Sequence, residues 1–243
     1  MIARVLAALI AAAPLPALAC EVALVLSIDV SGSVDEREYR LQMDGLATAL
    51  TDPTVADALV EAKAMVAVMQ WSGTSRQAVS VGWTEIVNHN SVAALSRQVT
   101  EATRAWRHFS TAIGEALGLA AELHGEIAGK CRRAVVDVSG DGPSNEGVEV
   151  GRMRDALVRG GVQINGLAIE TTEEGLTTYY RREVVGGPGA FVMTAKTFED
   201  YPRAIRRKLL REITKPVVEA PAPAQRCSAR NRAGKAPPKS SCG

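Results

Sequence analysis

Three separate stretches of the sequence carry oxygen-bearing side chains that could together hold a metal ion. Asp29, Ser31 and Ser33 form an Asp-x-Ser-x-Ser motif at the end of an apolar run. Thr111 stands at the start of a segment with helical period, and Asp141 lies between two glycines after a second apolar run. All five side chains are hard oxygen donors, which favours Mg²⁺, with Mn²⁺ or Ca²⁺ as alternatives, over zinc or copper. Because only two of the five are charged, a bound cation would still attract an anionic oxygen from a partner.

Short apolar runs that predict strands alternate with longer segments of helical period. This alternation predicts an α/β fold with a Rossmann-like, doubly wound, mainly parallel sheet and helices on both faces. Residues 76–83 alternate polar and apolar side chains, which predicts one short antiparallel edge strand. The predicted strands are 22–28, 64–70, 134–138, 162–169 and 190–194, and the predicted helices are 35–50, 91–104, 111–124, 146–159, 176–185 and 198–213.

The predicted topology brings the three polar stretches to one place. In an open α/β sheet, ligands bind outside the carboxyl ends of the strands, and each stretch follows a strand or opens a helix at that edge. Local signals support the element boundaries. Ser33 followed by Glu36 predicts a capping box for the first helix, and Asn145 predicts the N-cap of a helix that begins at Glu146.

The three motifs, in this order and on these elements, resemble the metal-ion-dependent adhesion site of von Willebrand factor A domains, a module also found in integrins. Three longer stretches resemble the sequences of an exported bacterial subfamily, which is classed as a domain of unknown function. These stretches are DVSGSVDEREYRLQ, QWSG and VVDVSGDG. The resemblance covers residues 20–214. It implies the von Willebrand factor A fold and a non-enzymatic module that captures a protein partner.

The resemblance also implies a role for each matching residue. In related sites, the serines that match Ser31 and Ser33 bind the ion directly, and the threonine that matches Thr111 binds it directly or through water. The aspartates that match Asp29 and Asp141 act through waters. An Asp or Glu of the protein ligand then completes the coordination.

Two further residues are candidates for contact with a ligand. Many relatives have glycines before the metal-binding threonine, where this chain has the bulkier His-Phe-Ser at 108–110, so His108 could touch a ligand. Trp71 ends a central predicted strand, where its ring would either line the metal face or cap the core. Asp137 lies inside a predicted strand and needs a partner, for which we expect a neighbouring loop or an arginine such as Arg133.

An enzyme is the alternative to a binding module. Phosphatases with an aspartate nucleophile also begin with an apolar strand that ends in Asp, as this chain does at Asp29. Those HAD-like phosphoester hydrolases place a second Asp two residues later as general acid, where this chain has Ser31. Loss of a general acid costs a factor of about 10²–10⁴ in rate. The sequence therefore favours a protein that is not an enzyme.

The first nineteen residues have the three parts of a signal peptide. A positive charge at Arg4 precedes an apolar stretch, and Ala17-Leu18-Ala19 is a small-x-small cleavage site. We therefore expect a bacterial protein that is periplasmic or secreted. Cys20 would be the first mature residue, which also fits a lipoprotein. Ala17 stands where lipoprotein signals usually have Leu, so cleavage without lipidation is favoured.

Four cysteines in an exported chain indicate disulfides, with three possible pairings. Cys20 and Cys131 each lie just before a predicted strand. If those strands are parallel neighbours, the two sulfur atoms lie at the same end of the sheet, away from the polar motifs. We therefore expect the pairs Cys20–Cys131 and Cys227–Cys242.

Charge is distributed unevenly along the chain. Residues 20–202 carry 16 basic and 25 acidic side chains, whereas residues 203–243 carry 11 basic and 2 acidic ones. Residues 215–243 are rich in Pro and Ala and form a predicted disordered, basic tail. Export and the absence of aromatic residues from this tail argue against nucleic-acid binding. No segment after the signal peptide is long and apolar enough to predict a membrane span.

Overall fold

A six-stranded sheet, with its strands in the order β3-β2-β1-β4-β5-β6, organises the fold. The computed structural model describes residues 20–171 and 173–214, and both the predicted signal peptide and the predicted tail lie outside these residues. All neighbouring strands are parallel except β2 and β3, which confirms the predicted mainly parallel sheet with an antiparallel edge strand. The strands are β1 (Cys20–Asp29), β2 (Met65–Trp71), β3 (Gln77–Glu85), β4 (Cys131–Gly140), β5 (Val162–Ile169) and β6 (Val192–Ala195).

Helices connect the strands and cover both faces of the sheet. Helix α6 continues into a π-helical turn at Tyr180–Val184, and a 3-10 turn at Phe198–Asp200 leads into α7. None of the described helices is long and apolar enough to cross a membrane. The helices are α1 (Glu36–Thr51), α2 (Pro53–Glu61), α3 (His89–Glu101), α4 (Ile113–Glu126), α5 (Val150–Arg159), α6 (Leu176–Tyr179) and α7 (Tyr201–Ile213).

Helix α2 is the one helix that the sequence patterns did not predict. It begins at a proline directly after Asp52, whose carboxylate accepts hydrogen bonds from the N–H groups of Thr54 and Val55. An aspartate N-cap followed by proline is a common helix start. With only nine residues, the helix is too short for its period to stand out.

The sheet is buried on both faces, which explains the near-continuous apolar character of its central strands. Along β1, Leu24, Leu26 and Ile28 pack against α1, α2, α3 and α7 on one face. Val25 points to the other face, where it packs against α4, α5 and α6. The alternation along the strand therefore assigns each side chain to one face, and Asp29 shares the face of Val25.

Two helix starts differ from the sequence predictions. The capping box of α1 is formed by Asp35 and Glu38, each of whose carboxylates accepts the other's backbone N–H at 2.7 Å. The predicted pair of Ser33 and Glu36 is wrong because the Ser33 hydroxyl donates to Asp141 instead. Helix α5 begins at Val150 rather than at residue 146, so the predicted N-cap at Asn145 is also wrong.

The disulfide between Cys20 and Cys131 is present, as predicted. The two cysteines are the first residues of the adjacent parallel strands β1 and β4, and their Cα atoms are 4.4 Å apart. The bridge therefore joins the amino ends of these strands, at the opposite end of the sheet from Asp29. The predicted pair Cys227–Cys242 lies outside the described residues.

A buried ion cluster ties α7 to the sheet. The ammonium nitrogen of Lys208 lies 2.6 Å from a carboxylate oxygen of Asp137 and 2.6 Å from one of Glu212, and all three side chains are almost completely buried. Asn165 in β5 donates to the same Glu212 oxygen at 2.8 Å. Burial, with the Asp137 carboxylate adding to it, raises the pKa of Glu212 to about 7.

The predicted pairing of Asp137 with Arg133 is therefore wrong. These residues lie four positions apart in one strand, which separates them by about 13 Å. Arg133 instead donates to the backbone carbonyl groups of Glu212 and Ile213 at the end of α7.

We predict that Lys208→Met lowers the free energy of unfolding by about 3–5 kcal/mol, because it leaves two buried carboxylates without their cation. Urea denaturation measures this loss. The triple variant Lys208→Met/Asp137→Asn/Glu212→Gln, which removes every charge of the cluster, should recover most of it. Lys196→Met is the matched control, since Lys196 is exposed and its pair with Glu170 should contribute below about 1 kcal/mol. Equal losses for Lys208→Met and Lys196→Met would contradict the assignment.

Candidate metal site

The predicted donor residues lie at the carboxyl ends of two adjacent strands. Asp29 is the last residue of β1, and Asp141 directly follows β4. The two strands are parallel and in register up to Ile28 and Ser139, so their ends place both carboxylates at one edge of the sheet. This is the edge at which open α/β sheets bind ligands.

A chain of short contacts connects four of the five predicted donors. The backbone N–H of Ser31 donates to Asp29 Oδ1 at 2.7 Å. The hydroxyl oxygens of Ser31 and Ser33 lie 3.2 Å apart, and the Ser33 hydroxyl donates to Asp141 Oδ1 at 2.7 Å. The structure thus brings Asp29, Ser31, Ser33 and Asp141 together in one cluster of oxygen atoms.

The loop that carries the serines is held from outside by the segment between α3 and α4. The guanidinium of Arg104 donates to the carbonyl groups of Val30 and Ser31 at 3.2 and 2.9 Å. Further along this segment, the carbonyl of Phe109 accepts the N–H of Gly32 at 2.8 Å. These backbone contacts fix the loop without using the side-chain oxygens of the cluster.

The fifth predicted donor, Thr111, is held in place by backbone contacts on two sides. Its N–H donates to Asn145 Oδ1 at 2.9 Å, and its carbonyl accepts both the N–H of Asn145 at 2.9 Å and the hydroxyl of Ser144 at 3.2 Å. The next residue, Ala112, donates its N–H to the carbonyl of Ser72 at 2.9 Å. Asn145 therefore holds the Thr111 segment in place through hydrogen bonds and does not cap a helix.

The two carboxylates are buried without a counter-charge. Asp29 is completely buried and Asp141 is 4% exposed. Burial, with the Asp141 carboxylate adding to it, raises the pKa of Asp29 to about 7, and burial also raises the pKa of Asp141. Within residues 20–171 and 173–214, no Lys, Arg or His forms an ion pair with either group. Two buried carboxylates in such a setting are unstable as anions unless a cation joins them.

The oxygen cluster fits a divalent cation. Asp29 Oδ2 is buried and has no hydrogen-bond partner. This oxygen is therefore free to bind a cation or to accept a hydrogen bond from a metal-bound water. Oxygen-only donor sets of this type suit hard cations. In the described part of the chain, no three His, Cys, Asp or Glu side chains are grouped to hold a metal, so hydroxyl oxygens would have to complete the set.

The two candidates for ligand contact lie in different environments. Trp71 is completely buried in the core beside α4, so the structure contradicts its prediction as a ligand contact. His108 is exposed, and its backbone lies beside Gly32 in the serine loop. Next to it, Phe109 is 40% exposed and carries the guanidinium of Arg76 over its ring at 3.5 Å. The rim on this side of the cluster is therefore aromatic and cationic.

Sequence reasoning missed two residues that hold the cluster in place. The sequence pattern predicts Arg104 at the end of a helix and Asn145 as a helix cap. Both act on backbone groups of distant segments, separated from them by 73 and 34 residues. No local pattern in the sequence signals contacts over such separations.

A family model described as "Protein of unknown function (DUF1194)" matches residues 19–217 of the chain. None of the curated protein sequences compared with the chain matches it. The matched range includes all of the described residues, and with them all five predicted donors.

The fold is similar to that of solved von Willebrand factor A domains. Proximal thread matrix protein 1 from the mussel byssus has a TM-score of 0.62 and 14% identity, over 79% of this chain and 47% of that chain. The von Willebrand factor type A protein from Catenulispora acidiphila has a TM-score of 0.60 and 19% identity, over 82% of this chain and 44% of that chain. This chain therefore spans less than half the length of either protein.

Divalent metals accompany this fold in solved structures. Manganese-loaded TRAP protein of Plasmodium vivax has a TM-score of 0.54 and 18% identity, over 79% of this chain and 73% of that chain. Another structure of the mussel protein has zinc in its metal-ion-dependent adhesion site motif. At these identities the likeness establishes the fold alone. The chain belongs to the family described as protein of unknown function (DUF1194), and its fold is that of a von Willebrand factor A domain.

Proposed function

We propose that the protein is an exported, non-enzymatic binding module that captures a protein partner through a divalent cation. Asp29, Ser31, Ser33, Thr111 and Asp141 would hold the cation, which we take to be Mg²⁺, with Mn²⁺ or Ca²⁺ as alternatives. When bound, the cation supplies a positive centre that accepts a carboxylate oxygen from an Asp or Glu of the partner.

The buried pair of carboxylates carries this proposal. A protein that keeps two acidic groups in its interior without a cationic side chain loses stability when they ionise, and a bound divalent cation removes that loss. The cluster is also open on one side, because Gly32 and Ser33 are exposed while Asp29, Ser31 and Asp141 are buried. A partner's carboxylate could therefore approach the cation from solvent, whereas the protein's own carboxylates support it from below.

The solved proteins with the same fold support the choice of a divalent cation. Zinc occupies the metal-ion-dependent adhesion site motif in one of them, and another is manganese-loaded. The donor set of this chain contains no nitrogen or sulfur, and this is why we prefer Mg²⁺ to zinc here.

Export is supported by the disulfide. Cys20–Cys131 closes 111 residues of sequence, and structural disulfides persist mainly in oxidising compartments such as the periplasm or the cell exterior. Together with the predicted signal peptide, this favours a periplasmic or secreted protein.

The hydrolase alternative gains no support from the geometry. Ser31, which stands where a general acid is needed, is 1% exposed and contributes its hydroxyl to the oxygen cluster. Asp29, which would be the nucleophile, is completely buried, so its carboxylate is not presented to a substrate.

We predict that Mg²⁺ or Mn²⁺ at about a hundred times its Kd raises the Tm of the mature protein by about 5–10 °C, since an ion that binds only the native state stabilises it. Differential scanning fluorimetry with and without EDTA measures the shift. Asp141→Ala and Ser31→Ala should reduce it strongly. Asp44→Ala and Ser80→Ala are the matched controls, because both residues lie away from the cluster. If all four variants keep the wild-type shift, the ion binds elsewhere.

We predict that the metal-free protein loses stability as the pH rises from 4 to 8. The pKa of Asp29 is about 7 in the folded chain and 3.8 in the unfolded one, so the protonated form favours folding and ionisation through pH 7 costs about 4 kcal/mol. Glu212 adds a fall over the same range, because its pKa is raised to about 7 from 4.5. Thermal melts at each pH measure the sum.

Saturating Mg²⁺ separates the two groups. Because the cation offsets the ionisation of Asp29 and Asp141 but not that of Glu212, the Tm gain from Mg²⁺ should grow with pH and level off above about pH 7. In Asp29→Asn that growth should shrink to the part due to Asp141, while the fall due to Glu212 remains. A gain from Mg²⁺ that is constant between pH 5 and pH 8 would contradict the assignment.

We predict that partner capture depends on the cation. Immobilised mature protein should retain a partner from bacterial envelope extract in Mg²⁺ and release it in EDTA. Asp141→Ala should fail to retain it, and Asp44→Ala should retain it as the wild type does. Retention that is equal in Mg²⁺ and EDTA would rule out capture through the metal, even if the ion still raises the Tm.

A further inference from the structure

A buried hydroxyl group lies beside the oxygen cluster and has no partner. Tyr180, the first residue of the π-helical turn, is completely buried, and its hydroxyl makes no hydrogen bond. Asp29 Oδ2 is also buried and also lacks a hydrogen bond. The Tyr180 hydroxyl can donate a hydrogen bond, whereas Asp29 Oδ2 can only accept one while the carboxylate is ionised.

The two unpaired oxygens face the same small space above Gly140. A Cβ atom built on Gly140 would lie 2.6 Å from the Tyr180 hydroxyl oxygen and 2.7 Å from Asp29 Oδ2. Both distances are too short for a real Cβ contact, so a side chain at position 140 would displace one or both groups. The glycine at the end of β4 therefore keeps open the space between the tyrosine and the carboxylate.

Packing fixes where the Tyr180 hydroxyl points. The ring lies over Gly166 in β5, where a Cβ would meet the ring carbon Cδ1 at 2.8 Å. From there it extends across β4 toward the end of β1. Val185 donates its N–H to the Tyr180 carbonyl at 3.0 Å, which closes the π-helical turn. Turns of this type recur at functional sites.

Leaving both oxygens unpaired in the interior would be unfavourable, because each buried polar group without a partner loses its hydration and gains nothing in return. A donor and an acceptor that face one space can pair directly or across a single buried water. A carboxylate oxygen has two acceptor positions, so Asp29 Oδ2 can accept from Tyr180 and still turn its other lone pair to a cation or its water.

We propose that Tyr180 is a positioning residue of the metal site, whose hydroxyl donates to Asp29 Oδ2 and holds that carboxylate in the orientation that supports the cation. This inference rests on the proposed metal site. It adds a residue from α6 and its π-helical turn, an element that contributes none of the five donors. Supporting contacts of this kind typically change metal affinity by 10–100-fold.

The direct test is isothermal titration of the metal-free mature protein with MnCl₂. Tyr180→Phe keeps the ring and removes the hydroxyl, and we expect it to weaken Mn²⁺ binding about tenfold. Tyr201→Phe is the matched control, because Tyr201 is also completely buried with an unpaired hydroxyl but packs on the opposite face of the sheet. It should leave the Kd unchanged. If Tyr180→Phe and Tyr201→Phe both bind like the wild type, Tyr180 has no positioning role.

A second measurement needs no metal. In urea denaturation of the metal-free protein, Tyr180→Phe and Asp29→Asn together should shift the midpoint by less than the sum of their separate shifts, because they interrupt one interaction. Tyr201→Phe and Asp29→Asn should be additive. Additive shifts for Tyr180→Phe as well would overturn the proposed contact.

Mn²⁺ binding by the wild type distinguishes a failure of the metal site from a failure of the role of Tyr180. If the wild type binds no Mn²⁺, the metal site itself is wrong and Tyr180 cannot be its positioning residue. If the wild type binds Mn²⁺ and Tyr180→Phe binds it equally well, the metal site stands and the role of Tyr180 is refuted.

Discussion

The structure depends on two carboxylates that the sheet topology forces together. Asp29 and Asp141 follow adjacent parallel strands, and the ends of those strands are buried beneath the loops that connect them to helices. Each carboxylate raises the free energy of the other, and burial adds to the effect. The hydroxyl groups of Ser31 and Ser33 relieve this only in part, since a neutral donor cannot replace a positive charge.

On the other face of the same sheet, a buried carboxylate is paired with a cationic side chain of the protein itself. Asp137 also lies in β4, but there Lys208 from α7 supplies the positive charge and Glu212 and Asn165 complete the cluster. At the carboxyl edge the guanidinium of Arg104 donates to backbone carbonyl groups. One buried acid cluster is thus balanced from within the chain, whereas in the described residues the other is paired with no cationic side chain, and this is the basis of the proposed metal site.

The strands, and the meeting of Asp29, Ser31, Ser33 and Asp141 at one edge of the sheet, could be predicted from the sequence because the patterns that set the strand ends are local. The apolar runs end where the strands end to within a few residues, and the Asp-x-Ser-x-Ser motif and the Asp141 turn follow them directly. The partners of Asp137 and Asn145 could not be predicted, since they come from segments distant in sequence. Trp71 illustrates the same limit, because a residue at the end of a central strand can face either the core or the site, and only packing decides.

The central claim, that a divalent cation sits among these oxygens, is tested most directly by a crystal structure of the mature protein grown with MnCl₂. Anomalous scattering locates manganese without reference to the protein density. We predict a single strong anomalous peak bounded by Asp29, Ser31, Ser33, Thr111 and Asp141. The remaining coordination positions of the ion should be open to solvent or filled by a carboxylate from a neighbouring molecule. A fully occupied manganese ion elsewhere, with no anomalous peak between Ser33 and Asp141, would contradict it.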